Sequence, residues 1–291
     1  MSGLGFVLTA AVAAVLAFLL YRERTTLLPR LLAADPRRLI PVVLLYAVDL
    51  AVVALAWASI AHSFGVRTPL GRHMRIFAAA NAARRLPGTL WYVGGRGALY
   101  ARLGIPARPM LLASGVELAL LWVSALAVSV PALFALVPRS RGLYGALALI
   151  LLAALLNPWT LRWAVSRATR LRGGDVAVPL GRVYGWLILD IFAWILGGLM
   201  LYAVIGVFEP LALTAAPVVV AAWTVSATLA MLTFFLPSGL GVMELSLAAL
   251  LAPVVSPGMA VLAAVAARLL VTALDVVSGL AAYVLEAAKK P

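Results

Sequence analysis

Arginine and carboxylate side chains set among apolar residues can hold a phosphate or carry a proton, and this sequence places both types in segments where charge is otherwise scarce. The first such segment is Asn81-Ala-Ala-Arg-Arg-Leu-Pro-Gly-Thr-Leu-Trp-Tyr-Val-Gly-Gly-Arg96, followed by Leu103-Gly104. Pro87 lacks a backbone donor and Gly88 reaches conformations closed to other residues, so a break here frees amides and carbonyls for a polar ligand. Arg84, Arg85 and Arg96 offer planar, bidentate donors to a phosphate. Trp91 and Tyr92 are residue types that settle at headgroup depth. An interfacial amphipathic helix with snorkelling arginines would use the same residues.

The second segment is Phe234-Phe-Leu-Pro-Ser-Gly-Leu-Gly-Val-Met-Glu244. One Pro and two Gly interrupt an apolar stretch, and the residues after Gly241 can start a new helix whose first-turn amides point into the break. Glu244 falls in that first turn, where the helix dipole favours it, either as a capping carboxylate or as a proton carrier. Arg268, Thr272 and Asp275 lie at i, i+4 and i+7 and so share one helix face, which must turn inward. Arg268 is expected to meet Glu244 or Glu117, as a gate opened by a competing phosphate or as a permanent ion pair. The candidate substrate-binding residues are Arg84, Arg85, Trp91, Arg96, Ser238, Glu244 and Arg268. The candidate proton or gating residues are Glu117, Asp190, Glu244 and Asp275, with Asp49 a further carboxylate inside a predicted span.

These groups need a scaffold, and the composition specifies its kind. Apolar residues make up 65% of the 291 positions and charged residues 11%, with a mean hydropathy of +1.10. A soluble domain averages about 45 to 50% apolar. In lipid only helices and closed barrels satisfy their own backbone. The long continuous apolar runs select helices over the short alternating strands of a barrel. Spans are predicted near 4–21, 40–62, 110–137, 143–160, 184–208, 212–236 and 259–285. Segments 70–105 and 234–255 are predicted to be re-entrant or broken helices. The fold class is therefore an all-α polytopic membrane protein with about 7–8 transmembrane helices and one or two broken ones, forming a single domain over 1–291.

The net charge of +13 is spread through short loops between spans rather than gathered on a soluble face, so lipid headgroups are the expected partner and nucleic acid is not. If 70–105 returns to its starting side and 240–255 crosses, most Lys and Arg fall on the side of both termini, which makes that side cytoplasmic. The polar stretch 161–183 reads as a connection. The two histidines, His62 and His73, have no acidic neighbours in sequence and are expected at the membrane interface. Cysteine is absent, so thiol chemistry is not available. Small residues in every span permit close packing within one chain or between copies of a homo-oligomer.

With both broken segments in view, the chain resembles the transmembrane, flippase-like domain of the lysylphosphatidylglycerol synthase family. The likeness is carried by Trp57 through Gly65, Asn81 with Arg84-Arg-Leu-Pro-Gly88, Leu103-Gly104, Leu236-Pro-Ser-Gly-Leu-Gly-Val-Met-Glu244 and Arg268, and it covers nearly the whole chain. Relatives often show Glu-Arg early in the third long span, where this chain has Glu117-Leu118. The resemblance implies a stand-alone member in the plasma membrane of a prokaryote. It also implies transfer between leaflets of a phosphate-bearing lipid, such as an aminoacyl-phosphatidylglycerol or a polyprenyl-linked sugar. No part of the chain can form a soluble aminoacyl-transferring domain, so synthesis of the aminoacyl lipid is not expected.

An enzyme is not the expected reading. There is no GxxxxGK[ST] run to bind ATP, so transport would be downhill or coupled to an ion or proton, and no cofactor is expected. Clustered carboxylates for metal-dependent transfer are missing from the sequence, with no Asp-x-Asp or Glu-x-Asp. The alternatives are a membrane enzyme, or a partner subunit, for lipid-linked glycosyl transfer.

Overall fold

The structure is a computed structural model that describes residues 18, 21–22, 24–32, 35–82, 91–136, 142–172, 178–232 and 241–288, with Trp91 described in its backbone. Its elements are helical throughout, and no strand occurs among the described residues. In order they are α1 (Arg24–Leu32), a 3-10 turn (Pro36–Leu39), α2 (Ile40–Ser63), α3 (Leu70–Asn81), α4 (Trp91–Ala101) and α5 (Ala107–Leu136). There follow α6 (Gly142–Leu156), α7 (Pro158–Arg172), α8 (Leu180–Phe208), a 3-10 turn (Leu213–Ala215), α9 (Ala216–Leu232), α10 (Val242–Leu251) and α11 (Pro257–Ala287).

Among the described residues five helices are long and apolar enough to cross a membrane: Pro36–Ser63, Ala107–Val130, Leu180–Phe208, Leu213–Leu232 and Pro257–Glu286. They carry exposed large apolar side chains, among them Leu44 and Val48 on α2 and Val277, Leu280 and Val284 on α11, which only lipid or another apolar surface would cover at low cost. The protein is a helical membrane protein. Most of the predicted first span lies outside the described residues.

The predicted span 143–160 is corrected. Its helix stops at Leu156, bends by 53° and resumes at Pro158, the two parts counting as a sixth crossing if they form one span. Pro158 cannot donate to the preceding turn and its ring clashes with it, whereas at the first position of a new helix it fits. Asn157 Oδ1 accepts the Trp159 amide at 2.8 Å, capping α7. Much of the stretch read as a polar connection, 161–183, is thus helix. The segment 70–105 resolves into α3 and α4, neither long enough to be a candidate span, and the segment after Gly241 into the ten-residue α10.

The described chain groups into two compact units interleaved along it. One takes described residues within Met1–Asp49, Arg84–Trp91 and Ile195–Val277, the other those within Leu50–Ala83, Tyr92–Trp194 and Ser278–Pro291. In the first unit, Gly197 and Gly198 let α8 approach α9 so closely that a Cβ at 198 would lie 2.5 Å from Val220 Cα. In the second, Trp57, Ile60, Phe64, Ile76, Tyr100, Met110 and Trp186 are the largest fully buried members of a core drawn from α2, α3, α4, α5, α7 and α8.

Candidate functional site

Two ion pairs stand out, one in each unit: Arg96–Glu117 is buried, and Glu244–Arg268 joins a buried carboxylate to a partly buried arginine. In the first unit, α10 begins at Gly241, whose φ of +92° is a backbone conformation that favours glycine. Glu244 lies in the first turn, 2% exposed, and its two oxygens divide their work. Oε2 accepts the Gly241 amide at 2.6 Å, satisfying a donor that the helix start leaves over. Oε1 accepts from Arg268 Nη1 at 2.5 Å. The face of α11 expected to turn inward does so: Thr272 donates to the Arg268 carbonyl at 2.7 Å, and buried Asp275 accepts from the Tyr46 hydroxyl at 2.8 Å.

The second unit holds a cluster that sequence reading found only in part. Tyr92, Arg96 and Tyr100 fall at i, i+4 and i+8 on α4, so one face of that helix presents a cation between two aromatic rings. Gly97 brings α4 against α5, where a Cβ would stand 2.8 Å from the end of Met110. That approach delivers Arg96 to Glu117: Nη1 donates to Oε1 at 3.0 Å and Nη2 to Oε2, a bidentate pair. The guanidinium carbon lies 3.8 Å from the Trp57 ring centre, 4.9 Å from that of Tyr92 and 5.5 Å from that of Phe77, and Arg96 is wholly buried. Such stacking on aromatic faces is specific to the planar arginine head.

A hydrogen-bonded chain extends from this box. Trp57 Nε1 donates to the Tyr100 hydroxyl at 3.0 Å, and that hydroxyl lies 2.6 Å from His73 Nδ1. Indole nitrogen can only donate, so the phenol oxygen accepts from it while also contacting His73. His73 is 2% exposed on α3, outside the candidate spans, and burial pushes its pKa down to about 4. His73, expected at the membrane interface, is buried within the protein, where the Tyr100 hydroxyl is a partner for its ring. Tyr92, expected at headgroup depth, is buried because its ring packs against the Arg96 cation.

Of the candidate residues, the structure joins Glu244 to Arg268 and Arg96 to Glu117, so Arg268 meets the first of its two expected partners. Glu117, which lacks an arginine at the next position, receives one from α4. Asp190 is buried on α8. Trp91 opens α4. Arg84, Arg85 and Ser238 lie outside the described residues. The i, i+4, i+8 spacing of Tyr92, Arg96 and Tyr100 was the available signal for the aromatic box; that Trp57, Phe77 and His73 complete it depends on helix packing. Among the described residues no group of three or more His, Cys, Asp or Glu gathers where a metal ion could be held.

The fold and these internal charges define a class, a helical membrane protein with one buried and one partly buried ion pair. Compared with known proteins, the chain matches no family model and no curated protein.

Proposed function

We propose that the chain is a flippase or scramblase that moves a phosphate-bearing lipid between leaflets, the headgroup in a polar path and the acyl or prenyl chains in the bilayer. The observation that carries this reading is the Glu244–Arg268 pair, which couples a cation on a spanning helix to the start of a short helix preceded in sequence by Pro237 and Gly239. A lipid phosphate is a bidentate acceptor, as a carboxylate is, and competes with Glu244 for the same guanidinium. Displacement also releases the Gly241 amide, a second donor suited to an anion. Glu244 released from Arg268 is the candidate carrier for proton coupling.

This proposal includes seven or eight spans with broken segments near 70–105 and 234–255, a prokaryotic plasma membrane location with both termini cytoplasmic, and kinship with the lysylphosphatidylglycerol synthase transmembrane domain. The test is reconstitution of purified protein in liposomes, following leaflet accessibility of fluorescent phosphatidylglycerol and of a short-chain prenyl-phosphate sugar. Wild type is expected to exchange at least one of them, and Glu244→Gln and Arg268→Ala to stop the exchange while remaining folded. No exchange under any ion gradient would sink the proposal and leave the pair as a fixed structural contact, in a partner subunit or enzyme of lipid-linked glycosyl transfer.

A further inference from the structure

The helix α7 presents an outer face that the transport reading does not use. Leu161, Val165 and Ala168 recur at i, i+4 and i+7 and pack on the core of the second unit. The remaining surface carries Trp159, Arg162, Trp163, Arg167 and Arg170, all exposed, the two tryptophans at 75% and 58%. The outer stripe holds no carboxylate, and from Leu118 to Gly174 the sequence has none. Tryptophans and arginines alternating along one exposed stripe match the layer where acyl chains give way to headgroups.

Helix length places that stripe at the right depth. The 15 residues of α6 rise about 22 Å, short of the roughly 30 Å hydrocarbon thickness. With α6 and α7 taken as one span, the first turns of α7 end that crossing, so that Trp159, Arg162 and Trp163 fall nearest the acyl chains and Arg167 and Arg170 furthest from them. The bend at Asn157 tips α7 away from the line of α6, and the Tyr184 hydroxyl secures it by donating to the Leu156 carbonyl at 3.0 Å. Arg170 is steered along the helix surface by its bond to Ser166 Oγ at 3.3 Å.

We infer that the Trp159–Arg170 face of α7 is a docking surface for anionic phospholipid headgroups, engaging their phosphates through Arg162, Arg167 and Arg170 while Trp159 and Trp163 lie among the glycerol backbones. The surface retains resident lipid; it is separate from the Glu244–Arg268 pair and does not depend on transport.

The chain has no cysteine, so Ala164→Cys on the exposed side of α7 gives a single labelling site. Full-length protein carrying a spin label there is placed in nanodiscs of phosphatidylcholine, with or without phosphatidylglycerol, and label depth is read from oxygen against water-soluble relaxation agents. Native mass spectrometry of the detergent-solubilised chain reads retained lipid. Expected are headgroup-depth accessibility that deepens with phosphatidylglycerol, and retention of phosphatidylglycerol over phosphatidylcholine. Arg162→Gln/Arg167→Gln/Arg170→Gln is expected to lower that retention about a hundred-fold. A label open to water in both compositions overturns the inference and points to an acidic soluble protein as the occupant. Undiminished phosphatidylglycerol retention by a folded triple variant overturns it as well. The label reading uses the native arginines, so it decides even if the triple variant does not fold.

Discussion

Glu244 and Arg268 are joined across 24 residues of sequence by a carboxylate whose other oxygen is already committed to the Gly241 amide. One side chain therefore ends a turn, starts a helix and neutralises a cation on a spanning helix. Disturbing the pair must disturb the start of α10, which is why a ligand that takes Arg268 would be felt in the backbone.

Substitutions at Glu244 should separate these roles. Glu244→Gln keeps an acceptor for the Gly241 amide but leaves Arg268 without its carboxylate, a loss of about 3 kcal/mol. Glu244→Ala removes the cap as well and should cost about 1 kcal/mol more. Thermal unfolding in detergent ranks the two; equal midpoints would mean that the amide contact contributes nothing.

Arg96→Lys should behave as a severe change. Lysine keeps the charge but loses the bidentate fit to Glu117 and the planar stack on Trp57, so we expect a loss of about 2 to 4 kcal/mol. Arg96→Gln with Glu117→Gln removes both charges together and should be less damaging than either single change. A double variant as unstable as the sum of the singles would show that the pair is not coupled.

Acidification should weaken the second unit through His73. Its folded pKa near 4 lies below the unfolded value near 6.5, so between these pH values the unfolded chain binds more protons and stability falls as pH is lowered from 6.5 toward 4. Above about pH 7 this contribution is flat. His73→Gln should reduce the acid slope of the thermal midpoint; identical slopes in variant and wild type would refute the assignment.

Two glycines should respond oppositely to the same change. At Gly198 an added methyl meets the Val220 backbone and cannot be accommodated without shifting α8 from α9, so Gly198→Ala should cost about 1 to 3 kcal/mol. Gly115, within α5, has nothing within 4 Å of the added atom, and Gly115→Ala should gain about 0.5 to 1 kcal/mol from helix propensity. Detergent melts of the pair make the comparison directly.

What the sequence determined by itself follows from periodicity and from the cost of charge in lipid. Apolar runs longer than a bilayer crossing specify helices, and the positions of α2, α8, α9 and α11 follow their runs within a few residues. The inward face of Arg268, Thr272 and Asp275 was legible because three polar groups spaced along one stripe have a single low-cost orientation. A long α7 was not, since polar outward residues made a helix with one packed stripe resemble a loop. The identities of the ion partners were decided only in three dimensions. Arg268 had two carboxylates to choose from and Arg96 none beside it, and for Arg96 the choice rested on the close approach of α4 to α5 at Gly97. The aromatic enclosure of Arg96 likewise arises where α2, α3, α4 and α5 meet, because side-chain contact between helices depends on their separation and rotation, which one-dimensional spacing does not encode.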